Sequence, residues 1–225
     1  MHIIPQEETT ILQVCLACLP FFDTFSATEK QELLQAGADL IRYDTGEFLI
    51  AEGGGDQMIF FLLSGAASVV REGASIPIAE LLPGDFFGEM AFLTAQKRTS
   101  NVIAHPPAPT QASVLPERIC AQLSPDDPSA TIVLRFNRGI FDCLQRQTRI
   151  QFKDQIIAVL VERMEQVSER VEEAMGEVPE FGIDPELERL LAERFSEEEE
   201  ETKDQIIQHL VAFIIQLNKR LFGER

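Results

Sequence analysis

Positive charge is scarce in this chain. Across 225 residues, 19 lysines and arginines stand against 37 aspartates and glutamates, a formal net charge of −18. A surface built to follow a phosphate backbone needs the opposite balance, so nucleic acid, DNA included, is not an expected partner. Histidine is limited to His2, His105 and His209, too scattered to build a metal site or a catalytic relay. No serine stands in a nucleophile-elbow setting, and an enzyme is the weakest class for this chain. Cys15 and Cys18 form a single Cys-x-x-Cys inside an apolar helical pattern, with no second pair to complete a zinc set. The pair reads as buried free thiols in a reducing cytoplasm, with a redox or metal role as the alternative; Cys120 and Cys143 are the remaining cysteines. No stretch reaches the roughly 18 apolar residues of a membrane span, and the N-terminus lacks the basic region of a secretory leader.

The 45% hydrophobic content is ample for a core without staples. Helical periodicity occupies residues 10 to 19 and 27 to 37, joined at Phe21-Phe22-Asp23. Ser26 followed three residues later by Glu29 predicts a capping box for the second helix. The period then changes. Short apolar or alternating runs punctuated by glycine predict strands at Leu40 to Tyr43, Phe48 to Ala51, Met58 to Leu63, Ala67 to Arg71 and Ile76 to Leu81. Such a run suits a compact antiparallel roll or jelly roll, closed so that no edge is left unpaired.

Chemistry concentrates in Phe87-Gly88-Glu89-Met90-Ala91-Phe92-Leu93 and, after a polar turn, Arg98-Thr99-Ser100-Asn101-Val102. The stretch offers one acid and one base at the ends of a compact loop. Arg98 can meet a phosphate through its planar fork of donors, and Glu89 can accept from a sugar hydroxyl. Gly88 permits close backbone approach, and amides at Met90 and Ala91 can point at an anion. Thr99 adds a hydroxyl beside the arginine. The plainer alternative is a salt bridge between Glu89 and Arg98 that only closes a surface turn.

These residues resemble the phosphate-binding cassette of the cyclic-nucleotide-binding domain family, in which Phe-Gly-Glu-hydrophobic-Ala precedes Arg-Ser/Thr-Ala and a strand. Phe87 to Ala91, Arg98 and Thr99 follow the pattern, and Ser100 stands where alanine is usual. Glycine-bearing segments around Gly46, Gly65 and Gly84 arrive in family order, and the resemblance spans roughly residues 12 to 160. It implies an α+β fold, an antiparallel β-roll with N-terminal helices and a C-terminal helical extension. It further implies that Arg98 binds the exocyclic phosphate oxygens and Glu89 the ribose 2′-hydroxyl. The amides around Gly88, Met90 and Ala91 would complete the cradle, Thr99 would help hold the phosphate, and the base would lie on apolar roll residues. cAMP is the expected ligand, with cGMP or a cyclic dinucleotide as alternatives.

Residues 105 to 128 depart from the relatives. A Pro-rich start, an apolar segment from Val114 to Leu123 and Ser-Pro-Asp-Asp-Pro stand where the family has a brief turn. A surface excursion is the simplest expectation, a lid or partner contact the other. The roll resumes at Ala130 to Leu134. Phe136-Asn137-Arg138-Gly139-Ile140-Phe141 then matches the family's approach to its next helix.

A long helix follows, with Ile150, Ile157, Met164 and Val171 every seven residues and Leu160, Val167 and Ala174 between them. In the bacterial transcription regulators that share this domain the equivalent helix forms the dimer interface, so the resemblance suggests a homodimer. Packing on the chain's own C-terminal helices is the alternative. Further helices are expected from Pro185 to Phe195 and from about Thr202 to Phe222, the latter after the acidic run Glu197 to Glu201. The winged helix-turn-helix of those regulators is not legible. The expected organisation is a ligand-binding domain at 1–148 and helices for dimerisation or partner binding at 149–225. Signalling to a protein partner is the expected output, with a scaffold that retained the roll as the alternative.

Overall fold

A computed structural model describes residues 2–3, 9–71, 77–107, 113–127 and 129–175, together with Ile206 and Leu210. The chain divides into two compact units, Met1–Leu144 and Gln145–Arg225.

The first unit opens with strand β1 (His2–Ile3), helix α1 (Thr9–Cys18), a 3-10 turn at Pro20–Phe22 and helix α2 (Ala27–Gly37). The capping box is present: Ser26 Oγ accepts from the Glu29 amide at 3.3 Å, and Glu29 Oε2 accepts from the Ser26 amide at 2.8 Å. Eight strands follow, β2 (Asp39–Tyr43), β3 (Phe48–Ile50), β4 (Met58–Ser64), β5 (Ala66–Val70), β6 (Ala79–Leu81), β7 (Phe86–Phe87), β8 (Asn101–His105) and β9 (Thr131–Asn137). They form two antiparallel sheets, ordered β1-β2-β9-β4-β7 and β3-β8-β5-β6. These two sheets are the antiparallel roll or jelly roll that the sequence predicts. Their ends β1, β7, β3 and β6 are only two or three residues long, so each offers little unpaired backbone.

Strand β4 shows why its sequence is almost continuously apolar. Phe60 and Leu62 enter the core between the sheets with Ile41, Tyr43, Leu49, Val102 and Val133. Phe61 faces the other way, into rings supplied by the N-terminal helical segment. Its ring centroid lies 4.9 Å from that of Phe21 and 5.0 Å from that of Phe22. Phe21 also meets Phe86 at 5.2 Å. A strand covered on both faces loses the alternation of a half-exposed one. At the β4–β5 turn, Gly65 has φ +85°, and a Cβ there would come within 2.7 Å of Thr131 Cα, so no larger residue fits.

The segment 105–128 is neither a loose excursion nor a lid in its described part. Ser113 and Val114 dock on the end of β4, where the Leu63 carbonyl accepts from the Val114 amide at 3.1 Å and from Ser113 Oγ at 3.0 Å. Helix α4 (Glu117–Leu123) follows, and Leu115, Ile119 and Leu123 are buried. The apolar centre of this segment therefore contributes Leu115, Ile119 and Leu123 to the core. Strand β9 runs to Asn137, whose side chain accepts from the Gly139 amide at 2.7 Å and caps helix α5 (Arg138–Phe141).

In the second unit, helix α6 (Arg146–Met175) is 30 residues long. Ile150, Ile157 and Leu160, members of the seven-residue seam, are already buried in one chain, as are Phe152 and Ile156. Adjacent buried pairs make that face wider than the seam of a two-stranded coiled coil. Ile206 and Leu210 are helical and fully buried. The helix expected from Pro185 to Phe195, the acidic run and the rest of the last helix lie outside the described residues.

Ser113 donates to the Leu63 carbonyl and accepts from the Leu115 amide at 3.0 Å. Ser113→Ala is therefore expected to lower stability by about 1–2 kcal/mol in urea denaturation, the loss of two such bonds. An unchanged midpoint would show that the insertion is not anchored there.

Candidate functional site

The cassette begins where β7 ends. Phe87 is buried and its ring stacks on Phe60 at 5.2 Å with planes 7° apart, fixing the direction in which the chain leaves the sheet. Gly88 is the N-cap of helix α3 (Glu89–Thr94) and is left-handed at φ +82°. A Cβ there would come within 2.8 Å of Arg98 Nη1 and 2.9 Å of the Met58 carbonyl oxygen. The glycine is thus required twice, by its own backbone and by the arginine beneath it. The first helical hydrogen bond runs from the Phe92 amide to the Gly88 carbonyl at 3.2 Å, so the amides of Glu89 and Ala91 precede the helix's own ladder. Ala95 ends the helix in the left-handed region at φ 56°, turning the chain back toward the roll.

Arg98 is the centre of the arrangement. Its side chain is 2% exposed. Its backbone is bonded to a glycine loop, with the Gly53 amide donating to the Arg98 carbonyl and the Arg98 amide donating to the Gly54 carbonyl, both at 2.8 Å. Nε donates to Asp56 Oδ2 at 3.2 Å, and Nη2 donates to Asp56 Oδ1 and to the Met58 carbonyl. Nη1 donates to the Gly88 carbonyl at 2.9 Å. These bonds use four of the five guanidinium N–H groups, and one Nη1 hydrogen has no partner among the described residues. The guanidinium carbon also lies 5.7 Å from the Phe60 ring centroid. A buried cation is tolerable only with such a set of partners.

Glu89 is not that partner. It is partly buried in the first turn of α3, and among the described residues no hydrogen bond or ion pair of its carboxylate is found. The plain salt-bridge reading of Glu89 and Arg98 therefore does not hold. Met90 is partly buried and Ala91 is buried; Ser100 is partly buried and Thr99 is exposed. Beside the Met58 carbonyl, Met58 and Val69 are the partly buried hydrophobic side chains packed against the roll core. The structure thus brings Gly88 and Arg98 together through the bond from Arg98 Nη1 to the Gly88 carbonyl, with Phe87 stacked on the Phe60 ring that lies by the guanidinium and Glu89 on the adjoining helix.

Two residues of this arrangement escaped sequence reasoning. Asp56 clamps Arg98 from 42 positions away, and its signal, a Gly53-Gly54-Gly55-Asp56 run before an apolar strand, reads only as a turn. In the sequence Arg138 is only part of the approach to the next helix. It donates from Nη1 to the carbonyls of Phe92 at 2.9 Å and Leu93 at 2.7 Å, capping the C-terminal end of α3 from the start of α5. Phe92 and Phe141 meet edge to face at 5.4 Å across the same junction. Among the described residues, no group of three or more His, Cys, Asp or Glu is placed to hold a metal, and no helix is long and apolar enough to cross a membrane.

Comparison with known proteins converges on the same segment. Residues 40–123 match the sequence model of the cyclic nucleotide-binding domain. The chain is 30% identical over 86 residues to a cAMP-dependent protein kinase regulatory subunit of Aspergillus niger, a match covering 38% of this chain and 21% of that protein. It is 41% identical over 69 residues to a cGMP-dependent protein kinase of Caenorhabditis elegans, covering 29% of this chain and 9% of that one. The chain thus spans only about a fifth or less of the length of these curated relatives. A solved cyclic nucleotide-binding domain from Methylobacillus flagellatus superposes with a TM-score of 0.55 at 15% identity, over 76% of this chain and 86% of that one, a likeness of fold. The match over residues 40–123 and the likeness of fold both set this part of the chain beside the cyclic nucleotide-binding domain.

Proposed function

We propose that the chain is a sensor that binds a cyclic mononucleotide, cAMP first, in the cassette and passes the bound state through its helices to a protein partner. The observation that carries this reading is the buried Arg98 guanidinium, held in a fixed orientation with one N–H left over, beside a Glu89 carboxylate without a partner among the described residues. The cyclic phosphate takes the remaining N–H or displaces a carbonyl from the arginine, and the ribose 2′-hydroxyl donates to Glu89. The amides of Gly88, Met90 and Ala91 complete the cradle, with Thr99 and Ser100 at its rim. Phe60 lies by the cation and Phe87 backs that ring, and the base lies on Met58 and Val69. The cAMP- and cGMP-dependent relatives support this ligand class.

The output route starts at α3. A ligand held by the first turn of α3 changes the position of that helix, and Arg138 and Phe141 connect its far end to α5. To switch a partner, the nucleotide must bind one arrangement of this junction more tightly than the other. The helices beyond carry the output, and the long helix pairs with a second copy of the chain. A scaffold that binds no nucleotide, and a receptor for a cyclic dinucleotide, are the readings that the tests below separate from this one.

Calorimetric titration of the protein with cAMP, cGMP and a cyclic dinucleotide is expected to show micromolar or tighter binding of cAMP. Glu89→Gln is expected to weaken it by about 10- to 100-fold, the loss of a hydrogen bond to a charged group, with an unchanged melting temperature. Arg98→Lys is expected to lose binding and to lower the melting temperature as well, because the planar fork is part of the packed structure. Silence from all three ligands in folded protein would leave the scaffold reading; preference for the dinucleotide would replace the ligand.

Amide hydrogen exchange tests the route. In the wild type, cAMP is expected to slow exchange in both α3 and α5, whereas in Arg138→Ala the protection of α5 is lost and that of α3 remains. Unchanged α5 exchange in the wild type would contradict coupling through this junction.

A further inference from the structure

Strands β3 and β8 pair as far as Ile50 opposite Val102, and the two chains then part. Next to Val102, Asn101 is paired on its other side with Val70 of β5. Beyond Ile50 the other chain leaves the sheet in a turn at 51–54. The Gly54 amide closes it by donating to the Ala51 carbonyl at 3.1 Å, and Gly53 is left-handed at φ +79°. The Glu52 amide, inside this turn, donates to the Asn101 side chain at Oδ1 over 2.8 Å. Nothing in the nucleotide-binding reading uses Asn101.

The turn matters for what it carries. The Gly53 amide donates to the Arg98 carbonyl and the Arg98 amide to the Gly54 carbonyl, both at 2.8 Å. Two residues on, Asp56 accepts from Arg98 Nε at 3.2 Å and from Nη2 as well. These groups leave no slack between them: a Cβ on Gly54 would come within 2.9 Å of the Ala51 carbonyl oxygen, 3.4 Å of Asp56 Oδ2 and 3.5 Å of Arg98 Cγ. Yet the Asp56 side chain is 45% exposed against 2% for Arg98, so burial does not hold the carboxylate in place. Water competes for it, and its grip on the cation depends on where the turn sits. Of these three bonds between the turn and residues 98–101, two run between backbone groups and one needs the Asn101 side chain.

We propose that Asn101 is a positioning residue of the cassette: it fixes the turn at 51–54, keeps the Asp56 carboxylate on Arg98, and thereby sets the direction in which the guanidinium meets an anion. Its role rests on the proposed function, in which Arg98 takes the phosphate. Asn101 acts through Asp56 and not on the ligand. Without its bond the turn is held by backbone bonds alone, Asp56 spends more time in water, and the buried guanidinium is left with carbonyls. An anion then meets a less preorganised fork.

The test uses the full chain, uniformly labelled with 15N, and reads two quantities in Asn101→Ala. One is exchange of the Arg98 Nε–H in the free protein, and the other is cAMP affinity by calorimetric titration. Exchange is expected to quicken and affinity to fall, each by about tenfold, the change that loss of one hydrogen bond gives. Amide exchange in β4 should stay slow, which separates a local displacement from a loss of fold. Asn101→Asp, which keeps an accepting oxygen on the same stem, should restore slow Nε–H exchange. If Asn101→Ala unfolds, Glu52→Pro removes the same bond from the donor's side, at a turn position that takes proline, and the same two changes are expected. Wild-type Nε–H exchange or unchanged cAMP affinity in either folded variant would overturn the proposal, as would Asn101→Asp exchanging as fast as the alanine variant. Failure of the wild type to bind cAMP would instead overturn the proposed function, while the exchange measurement, made without ligand, still decides whether Asn101 holds Asp56 on Arg98.

Discussion

The arrangement depends on one buried guanidinium. Arg98 lies beneath the cassette with its side chain 2% exposed, and it is held by a carboxylate and two carbonyls taken from two separate parts of the chain. Asp56 comes from the glycine loop before β4, the Met58 carbonyl from the start of β4, and the Gly88 carbonyl from the start of α3. Each of those segments is placed by the cation as much as the cation is placed by them. Removing the carboxylate would leave a desolvated charge with carbonyls alone, a more serious fault than losing a surface ion pair. The same set holds the fork against the start of the adjoining helix, and in the proposed reading a small anion therefore meets a preorganised site.

Much of the frame was legible because it rests on local rules. The capping box at Ser26 and Glu29, the change of period near Ala38 and the glycine-marked strands are signals spanning a few residues, and each corresponds to an observed element. The cassette was legible for a different reason: its acid, glycine and arginine are close in sequence. What escaped was non-local. Asp56 carries no mark that distinguishes a cation clamp from an ordinary turn residue, and only the meeting of the glycine loop with the start of β8 assigns it. Arg138 likewise gains its meaning from the carbonyls of Phe92 and Leu93, 45 or more positions away. The edge strands β1, β7, β3 and β6 are protected by being short, a device that strand patterns do not reveal.

The insertion shows the same limit. Its proline-rich start suggested a loop lying on the surface, yet Leu115, Ile119 and Leu123 are buried and Ser113 is bonded to the end of β4. An apolar spacing of four residues within a short segment is compatible with a lid, a partner surface or a structural strap, and packing alone decides among them. The phenylalanines show how the composition is used. Phe21 and Phe22 meet Phe61 and Phe86 on one face of β4, while Phe60 stacks on Phe87 on the other. One strand therefore joins the helical cover to the cassette.

The central claim is that Arg98 is a preformed anion clamp, and its side-chain Nε–H reports on it directly. In nuclear magnetic resonance of the 15N-arginine-labelled protein, the account predicts a slowly exchanging Arg98 Nε–H resonance in the free state, assigned by its loss in Arg98→Lys, that moves when cAMP is added. A rapidly exchanging resonance in the free protein, or one unmoved at saturating nucleotide, would contradict it.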